Sequence, residues 1–413
     1  MSGGAISEST TVCVVGGGPA GMVLGLLLAR AGVAVTVLEK HADFLRDFRG
    51  DTVHPPTLDL LDDLGLGPAF RALPQSRVTE VQVPFRGGTL RVADLSALPA
   101  PNNYVAMVPQ WDFLDLLADA AAREPAFTLR MRTAATALRW SGDRVVGVDY
   151  RTEAGETGTV TADLVVACDG RGSLLRDAAH LHPRSFPTPM DVWWYRLPRH
   201  EEDPSGIVGV ISSARAAVLI DRGDYWQVAT LIRKGSDPQA RRSPVTDMLR
   251  DVTSAAPWLA DRVTAVASWD DVKTLDVKLD RLPRWHLPGL LCLGDAAHAM
   301  SPVGGVGINL AVQDAVAAAR LLAAPLRAGT LSTSDLARVR RRRLLPTLAV
   351  QTLQRVLHAR ALRPALEGKV EIARGKVPLP LRLLTRLPLL RRLPAQIIGR
   401  GLFTEPTPTF ARR

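Results

Sequence analysis

The chain has 413 residues, 46% hydrophobic and 22% charged, a balance ordinary for a globular protein and a length suited to two or three domains. Its three cysteines (Cys13, Cys168 and Cys292) are too few and too scattered for a disulfide framework or a cysteine-based metal site. No metal is therefore expected, and a reducing cytosol is the natural compartment. The net charge of +10 is uneven: residues 331–413 hold 18 Lys and Arg against 4 Asp and Glu, which leaves the first 330 residues mildly acidic.

In chain order, "TTVCVVGGGPAGMVLGLLLARAGVAVTVLEK" (Thr10–Lys40) comes first. Its β-branched start predicts a buried strand over Thr10–Val15. A glycine turn follows, then a helix over Ala20–Ala31 closed by Gly32, then a strand over Ala34–Leu38 ending in Glu39. Glu8 is the only charge ahead of Val14, and Gly-Gly-Gly-Pro interrupts the apolar run, so neither a signal peptide nor a membrane span is expected there. Residues 74–95 and 185–280 alternate apolar and polar positions between turn signals, the mark of antiparallel strands. Two further apolar strands end in "CDG" (Cys168–Gly170) and "GDAAH" (Gly294–His298), each before a helical pattern. The cysteines fall within these buried strands and are expected to act as small hydrophobes.

The expected fold class is α/β. A Rossmann-like dinucleotide-binding domain takes residues 1–73, 96–184 and 281–330. An inserted antiparallel β-sheet domain for substrate takes 74–95 and 185–280, and a basic region of C-terminal helices takes 331–413.

Gly16-Gly17-Gly18-Pro19-Ala20-Gly21 fits G-x-G-x-x-G between a strand and a helix, with Glu39 lying 18 residues beyond Gly21. In that setting Gly16 allows the tight turn, Gly18 admits a pyrophosphate, and Gly21 lets helix and strand pack closely. The helix N-terminus offers free N–H groups to phosphate, and Glu39, followed by Lys40, accepts from a ribose. The second loop, "GDAAHAMSPVGGVGIN", decides between FAD and NAD, because an NAD site has no use for it. FAD is longer: Asp295, after Gly294, suits ribitol hydroxyls. Pro302, Gly305, Gly307, Ile308 and Asn309 suit close backbone approach to the flavin ring, with a helix N-terminus facing its negative charge.

Three motifs in this order, GGGPAG with Glu39, "CDGRGSLLR" (Cys168–Arg176) and "GDAAHAMSPVGGVGIN", resemble the class A flavoprotein monooxygenases, the para-hydroxybenzoate hydroxylase-like group. The resemblance covers about residues 8–330. It implies that Asp169, Ser173 and Arg176 lie near the flavin pyrophosphate and the NAD(P)H path. It also implies cofactor contacts for Arg49 and for Gln110, where the family often has Arg. The implied cofactors are FAD and NAD(P)H as transient reductant, with NADPH slightly preferred. The implied chemistry is O₂ addition at flavin C4a and hydroxylation of a hydrophobic, aromatic or polycyclic small molecule. A flavin oxidase or dehydrogenase without oxygen insertion, and a non-catalytic FAD-binding protein, are the alternatives. "WWYRLP" (Trp193–Pro198) does not match the halogenase segment W-x-W-x-I-P.

Trp193, Tyr195, Tyr225 and Gln227 are candidate substrate contacts from the inserted sheet, and only one parity of each strand can face a pocket. His54 is a candidate proton shuttle, with capping or packing as the plainer reading. For the basic tail a solvated helical cap comes first. An anionic membrane surface or an acidic partner touching residues 376–403 is the alternative, which leaves peripheral membrane contact open. Nucleic acid is not expected, because that tail lacks interleaved aromatics.

Overall fold

The computed structural model describes residues 6–45, 52–85, 88–204, 206–211, 216–262, 264–367, 395–401 and 403–413. Arg49, and the stretch 376–394 of the basic tail, lie outside the described residues.

A mixed eight-stranded sheet forms the centre. Its parallel part runs Leu290–Cys292, Thr157–Ala167, Ile6–Val15, Val35–Leu38 and Phe127–Arg130. Val12–Val15, Leu164–Ala167 and Leu290–Cys292 are the apolar, buried ends of three of these strands. The helix Pro19–Arg30 begins on a proline at its first turn and buries every residue from Ala20 to Ala29. Gly25 lets it press onto the sheet, since a β-carbon there would meet the Phe127 ring at 2.7 Å. Cys13 and Cys292 lie in these strands as expected, while Cys168 sits just past the end of Thr157–Ala167. All three are free thiols, and burial pushes Cys13 up to about 12.

The second sheet is antiparallel, in the order Ile207–Ile211, Ala216–Asp221, Tyr225–Arg233, Met190–Pro198, Lys273–Leu275. The helix Val245–Ala255 covers one face, where Trp193, Tyr195, Trp226 and Val228 pack with Met248 and Leu249. The other face, with Val192, Trp194, Ile220 and Ala229, packs against Val105 and Met107 of a small sheet that joins Thr52–Val53, Val105–Met107 and Ser76–Val78.

Two long helices, Gly307–Arg327 and Thr333–Leu357, follow the central sheet. The second starts with a capping box in which Ser332 and Asp335 satisfy each other's backbone N–H groups. The end of the chain returns to the body. Glu405 is buried and accepts from Arg320 and Arg342 at 2.7 Å each, and Arg30 donates to the Ala411 carbonyl at 2.8 Å. Among the described residues no helix is long and apolar enough to cross a membrane.

Candidate active site

Strand order alone brings three glycine-bearing loops together. Ile6–Val15, Thr157–Ala167 and Leu290–Cys292 are adjacent and parallel, so the turns at Gly16, Cys168 and Gly294 leave the same edge of the sheet. Ligands of open parallel sheets bind outside that edge. The first and third loops touch: a β-carbon on Gly294 would lie 3.4 Å from that of Ala20 and 3.2 Å from that of Ala311.

Each fingerprint glycine has a distinct physical reason. Gly16 takes φ +107°, and a β-carbon there would collide with the Cys168 carbonyl. A side chain at Gly21 would collide with the Gly16 carbonyl, so helix and turn could not pack. At Gly18 a β-carbon would meet nothing within 4 Å. It would project into a cleft of ≈ 230 Å³ whose walls include Gly16, Pro19, Glu39, Lys40, Gln110 and Asp169.

Glu39 stands at the end of the second strand. Its Oε2 accepts from the Gly17 N–H at 2.9 Å, and its Oε1 lies 2.5 Å from His41 Nδ1. Asp169 Oδ2 accepts from the Leu175 N–H at 3.2 Å. Burial raises the Asp169 carboxyl, and hydrogen bonds from Ser173 and the backbone oppose the rise. Asp169 Oδ1 and Gln110 Oε1 are buried in the cleft wall with no donor among the described residues. Two buried acceptors without donors are costly unless a ligand supplies hydroxyl groups. The helix Pro19–Arg30 opens on the cleft with no side-chain cap and no acid in its first turn, an arrangement suited to phosphate. These residues fit the ribose and pyrophosphate of FAD.

The remaining predicted residues fall into two groups. Ser173 and Arg176 are buried and tied to protein atoms: Ser173 Oγ accepts from the Arg176 N–H at 3.0 Å, and the Arg176 guanidinium donates to the carbonyls of Arg171 and Ala296 at 3.1 and 3.5 Å. They hold the second and third loops together. Asp295 makes an ion pair with Arg171, Nε to Oδ2 2.9 Å. Gly305 takes φ +63°, and its carbonyl accepts from Thr52 Oγ1 at 2.5 Å. Pro302 lies in the same loop; Gly307 and Ile308 start an uncapped helix. The Asn309 carboxamide is engaged by protein: Oδ1 accepts from the His54 N–H at 3.0 Å and from Thr57 Oγ1 at 2.8 Å. His54 is buried at the N-cap position of Pro55–Asp63, where its side chain makes no capping hydrogen bond.

The parity of the inserted sheet corrects two expectations. Trp193 and Tyr195 face the helix Val245–Ala255 and are fully buried in that core, so they are not placed to touch a substrate on the opposite face. Trp193 Nε1 donates to Asp237 at 2.6 Å, and Tyr195 shares a hydrogen bond with Thr230 at 3.0 Å. Residues opposite each other in register share a face. Trp194 pairs with Ala229 and Arg196 with Gln227, which puts Gln227 and Tyr225 on the face toward the central domain.

Several partners of the third loop were not legible as motifs. Gln354 donates to the Ser301 and Val303 carbonyls at 2.9 Å each, and His358 Nε2 lies 2.9 Å from Ser301 Oγ. Asp314 is fully buried between His298 Nε2 at 2.6 Å and Arg343 Nε at 2.9 Å. The available signals were a lone acid in the Ala-rich Gly307–Arg327 run and the i, i+3, i+7 spacing of Gln351, Gln354 and His358.

Fold and cleft together define a dinucleotide-binding flavoprotein. A family model described as FAD binding domain matches residues 9–351. The chain is 36% identical over 340 residues to 6-methylpretetramide 4-monooxygenase of Streptomyces rimosus, covering 81% of this chain and 80% of that protein. It is 31% identical to 12-dehydrotetracycline 5-monooxygenase/anhydrotetracycline 6-monooxygenase of Streptomyces rimosus subsp. rimosus, over 74% of this chain and 61% of that one. Among solved structures, OxyS anhydrotetracycline hydroxylase from Streptomyces rimosus superposes with a TM-score of 0.73 at 26% identity, covering 95% of this chain and 76% of the other. The chain belongs to the class A FAD-dependent monooxygenases, the aromatic hydroxylase type.

Proposed function

We propose that this monooxygenase hydroxylates a polycyclic aromatic small molecule with electrons from NAD(P)H, with NADPH preferred. The observation that carries the substrate class is the 36% identity to 6-methylpretetramide 4-monooxygenase along four-fifths of both chains. On the inserted sheet, Tyr225 and Gln227 lie on the face toward the central domain and remain the candidate substrate contacts, beside the core in which Val192, Trp194, Ile220 and Ala229 pack against Val105 and Met107.

FAD would be held by the backbone at Gly16–Gly21, by Glu39, Lys40, Gln110 and Asp169 in the cleft, and by Asp295 and the 302–309 loop farther along. When bound, it supplies electron transfer from the nicotinamide and activation of O₂. The chain's own residues bind, orient and shield. The uncapped N-termini at Pro19 and Gly307 offer partial positive charge toward phosphate and toward the reduced ring. Thr52 and Asn309 hold the third loop to the segment 52–57, and Gln354 and His358 hold it from the C-terminal helix.

The test is a screen of polycyclic aromatic compounds for those that accelerate NADPH oxidation and yield a product heavier by one oxygen. Comparing NADH with NADPH at equal concentration tests the reductant preference. For the tail, the reading of contact with an anionic membrane or acidic partner rests on charge alone.

A further inference from the structure

Away from the dinucleotide cleft, three arginines share one aromatic ring. The guanidinium carbons of Arg184, Arg281 and Arg355 lie 5.6, 5.4 and 4.8 Å from the centroid of Phe186. Any two of these charges are therefore within about 11 Å, roughly one Debye length at ~0.1 M salt, so they repel one another. Among the described residues none of the three has a carboxylate partner. Arg281 donates instead to the Gln351 amide oxygen at 2.7 Å, and Arg340 Nε is buried with no acceptor. Other arginines of the same helix are paired: Arg338 with Asp335, and Arg342 with Glu405. Burial and the neighbouring Arg184, Arg340 and Arg355 hold the Arg281 guanidinium below its ordinary range.

A cavity of ≈ 380 Å³ opens beside this group, between Pro187 and Pro189 on one side and Arg355, His358, Arg360 and Arg363 on the other. Among the described residues no carboxylate lines it. Guanidinium groups grip phosphate oxygens in pairs, and clustered ones select clustered phosphates.

We propose that this cavity binds the linked phosphates of a small anion of the pyrophosphate class. Two sources share that chemistry: a nicotinamide dinucleotide, and a free polyphosphate or phosphorylated metabolite. The first rests on the NAD(P)H reading given above. The site reaches the flavin-facing loop through one helix. Arg355 adjoins Gln354, which holds Ser301 and Val303, and His358 both lines the cavity and contacts Ser301 Oγ. An anion drawn onto Arg355 acts one residue from that grip.

The test is calorimetric titration of the FAD-loaded protein with sodium pyrophosphate, ADP, NADH and NADPH in turn, at low salt. Wild-type protein should bind pyrophosphate, and the double variant Arg355→Glu, Arg360→Glu should bind it at least tenfold more weakly. Arg338→Glu, an ion-paired position on the same helix, should bind it like wild type. Flavin content and melting temperature confirm that each variant is folded, and Arg355→Lys, which keeps charge without the planar fork, should fall between. NADPH binding lost in parallel with pyrophosphate assigns the site to the reductant. NADPH binding retained while pyrophosphate binding is lost assigns it to a free phosphorylated anion. Absence of pyrophosphate binding by the wild type, equal binding by the double variant, or binding only of acidic protein or anionic vesicles would overturn the proposal. None of these readouts depends on oxygenation, so failure of the monooxygenase reading would show separately, in the substrate screen.

Discussion

Arg171 Nε lies 2.9 Å from Asp295 Oδ2, joining the loop after the strand Thr157–Ala167 to the loop after Leu290–Cys292. Both side chains are about one-third exposed. The pair holds the Asp295 carboxylate at the meeting of the two loops, in the position read from the sequence as a ribitol acceptor. Replacing Asp295 with Ala should lower FAD affinity at least tenfold, about 1.4 kcal/mol. Flavin absorbance per mole of protein after desalting measures this. Arg171→Ala should retain more flavin, and equal retention by Asp295→Ala and wild type would remove Asp295 from the site.

Gly16 and Gly18 should respond differently to the same change. A methyl group at Gly16 meets the Cys168 carbonyl at φ +107°, so Gly16→Ala should destabilise the fold by more than about 1 kcal/mol. Gly18 has ordinary extended backbone and open space before it, so Gly18→Ala should keep its melting temperature while binding FAD more weakly. Thermal melts of apoprotein and flavin titrations separate the two effects.

Asp314 lies buried between His298 and Arg343. Burial alone would raise its carboxyl, but His298 and Arg343 outweigh burial and hold it below the ordinary range. Asp314→Asn leaves Arg343 with Glu405, Nη1 to Oε1 3.5 Å, as its remaining buried counter-charge and should cost about 1–3 kcal/mol. The pH dependence follows in sign. A carboxyl with a depressed folded pKa contributes stability above its unfolded value of about 3.9, and that contribution disappears as pH falls through the folded value. As pH falls below about 4, the wild-type melting temperature should therefore fall more than that of Asp314→Asn.

Trp193 and Trp194 are adjacent but face opposite sides of the sheet. Trp193→Phe removes the hydrogen bond to Asp237 and leaves space in the helix-covered core, so it should lower stability by about 1–3 kcal/mol with little effect on the ratio of product to NADPH consumed. Trp194→Phe should change that ratio or the site of hydroxylation. Product analysis and thermal melts of the two variants decide the assignment.

These contrasts mark what the sequence made legible. The glycine loops were readable because each residue answers a local demand: a tight turn at Gly16, close packing at Gly21, an acid after a strand at Glu39. The strands between them were readable as apolar runs. The parity of the inserted sheet was not, because "WWY" puts an aromatic residue on both faces and only the packing of Val245–Ala255 decides between them. Asn309 was read as a cofactor contact, yet its carboxamide bonds to His54 and Thr57, partners over 250 residues away that no local pattern announces. Separations of 53 and 57 residues hid Gln354 and His358, which hold Ser301 from the C-terminal helical region.

The central claim is oxygen insertion into a polycyclic aromatic substrate bound between the inserted sheet and the flavin loop. Turnover under isotopically labelled O₂ with a substrate from the screen, followed by mass spectrometry, tests it most directly. One labelled oxygen atom in the product, with NADPH consumed in equal amount, is the expected result. NADPH consumed with all the label recovered as hydrogen peroxide, whichever polycyclic aromatic is supplied, would contradict it.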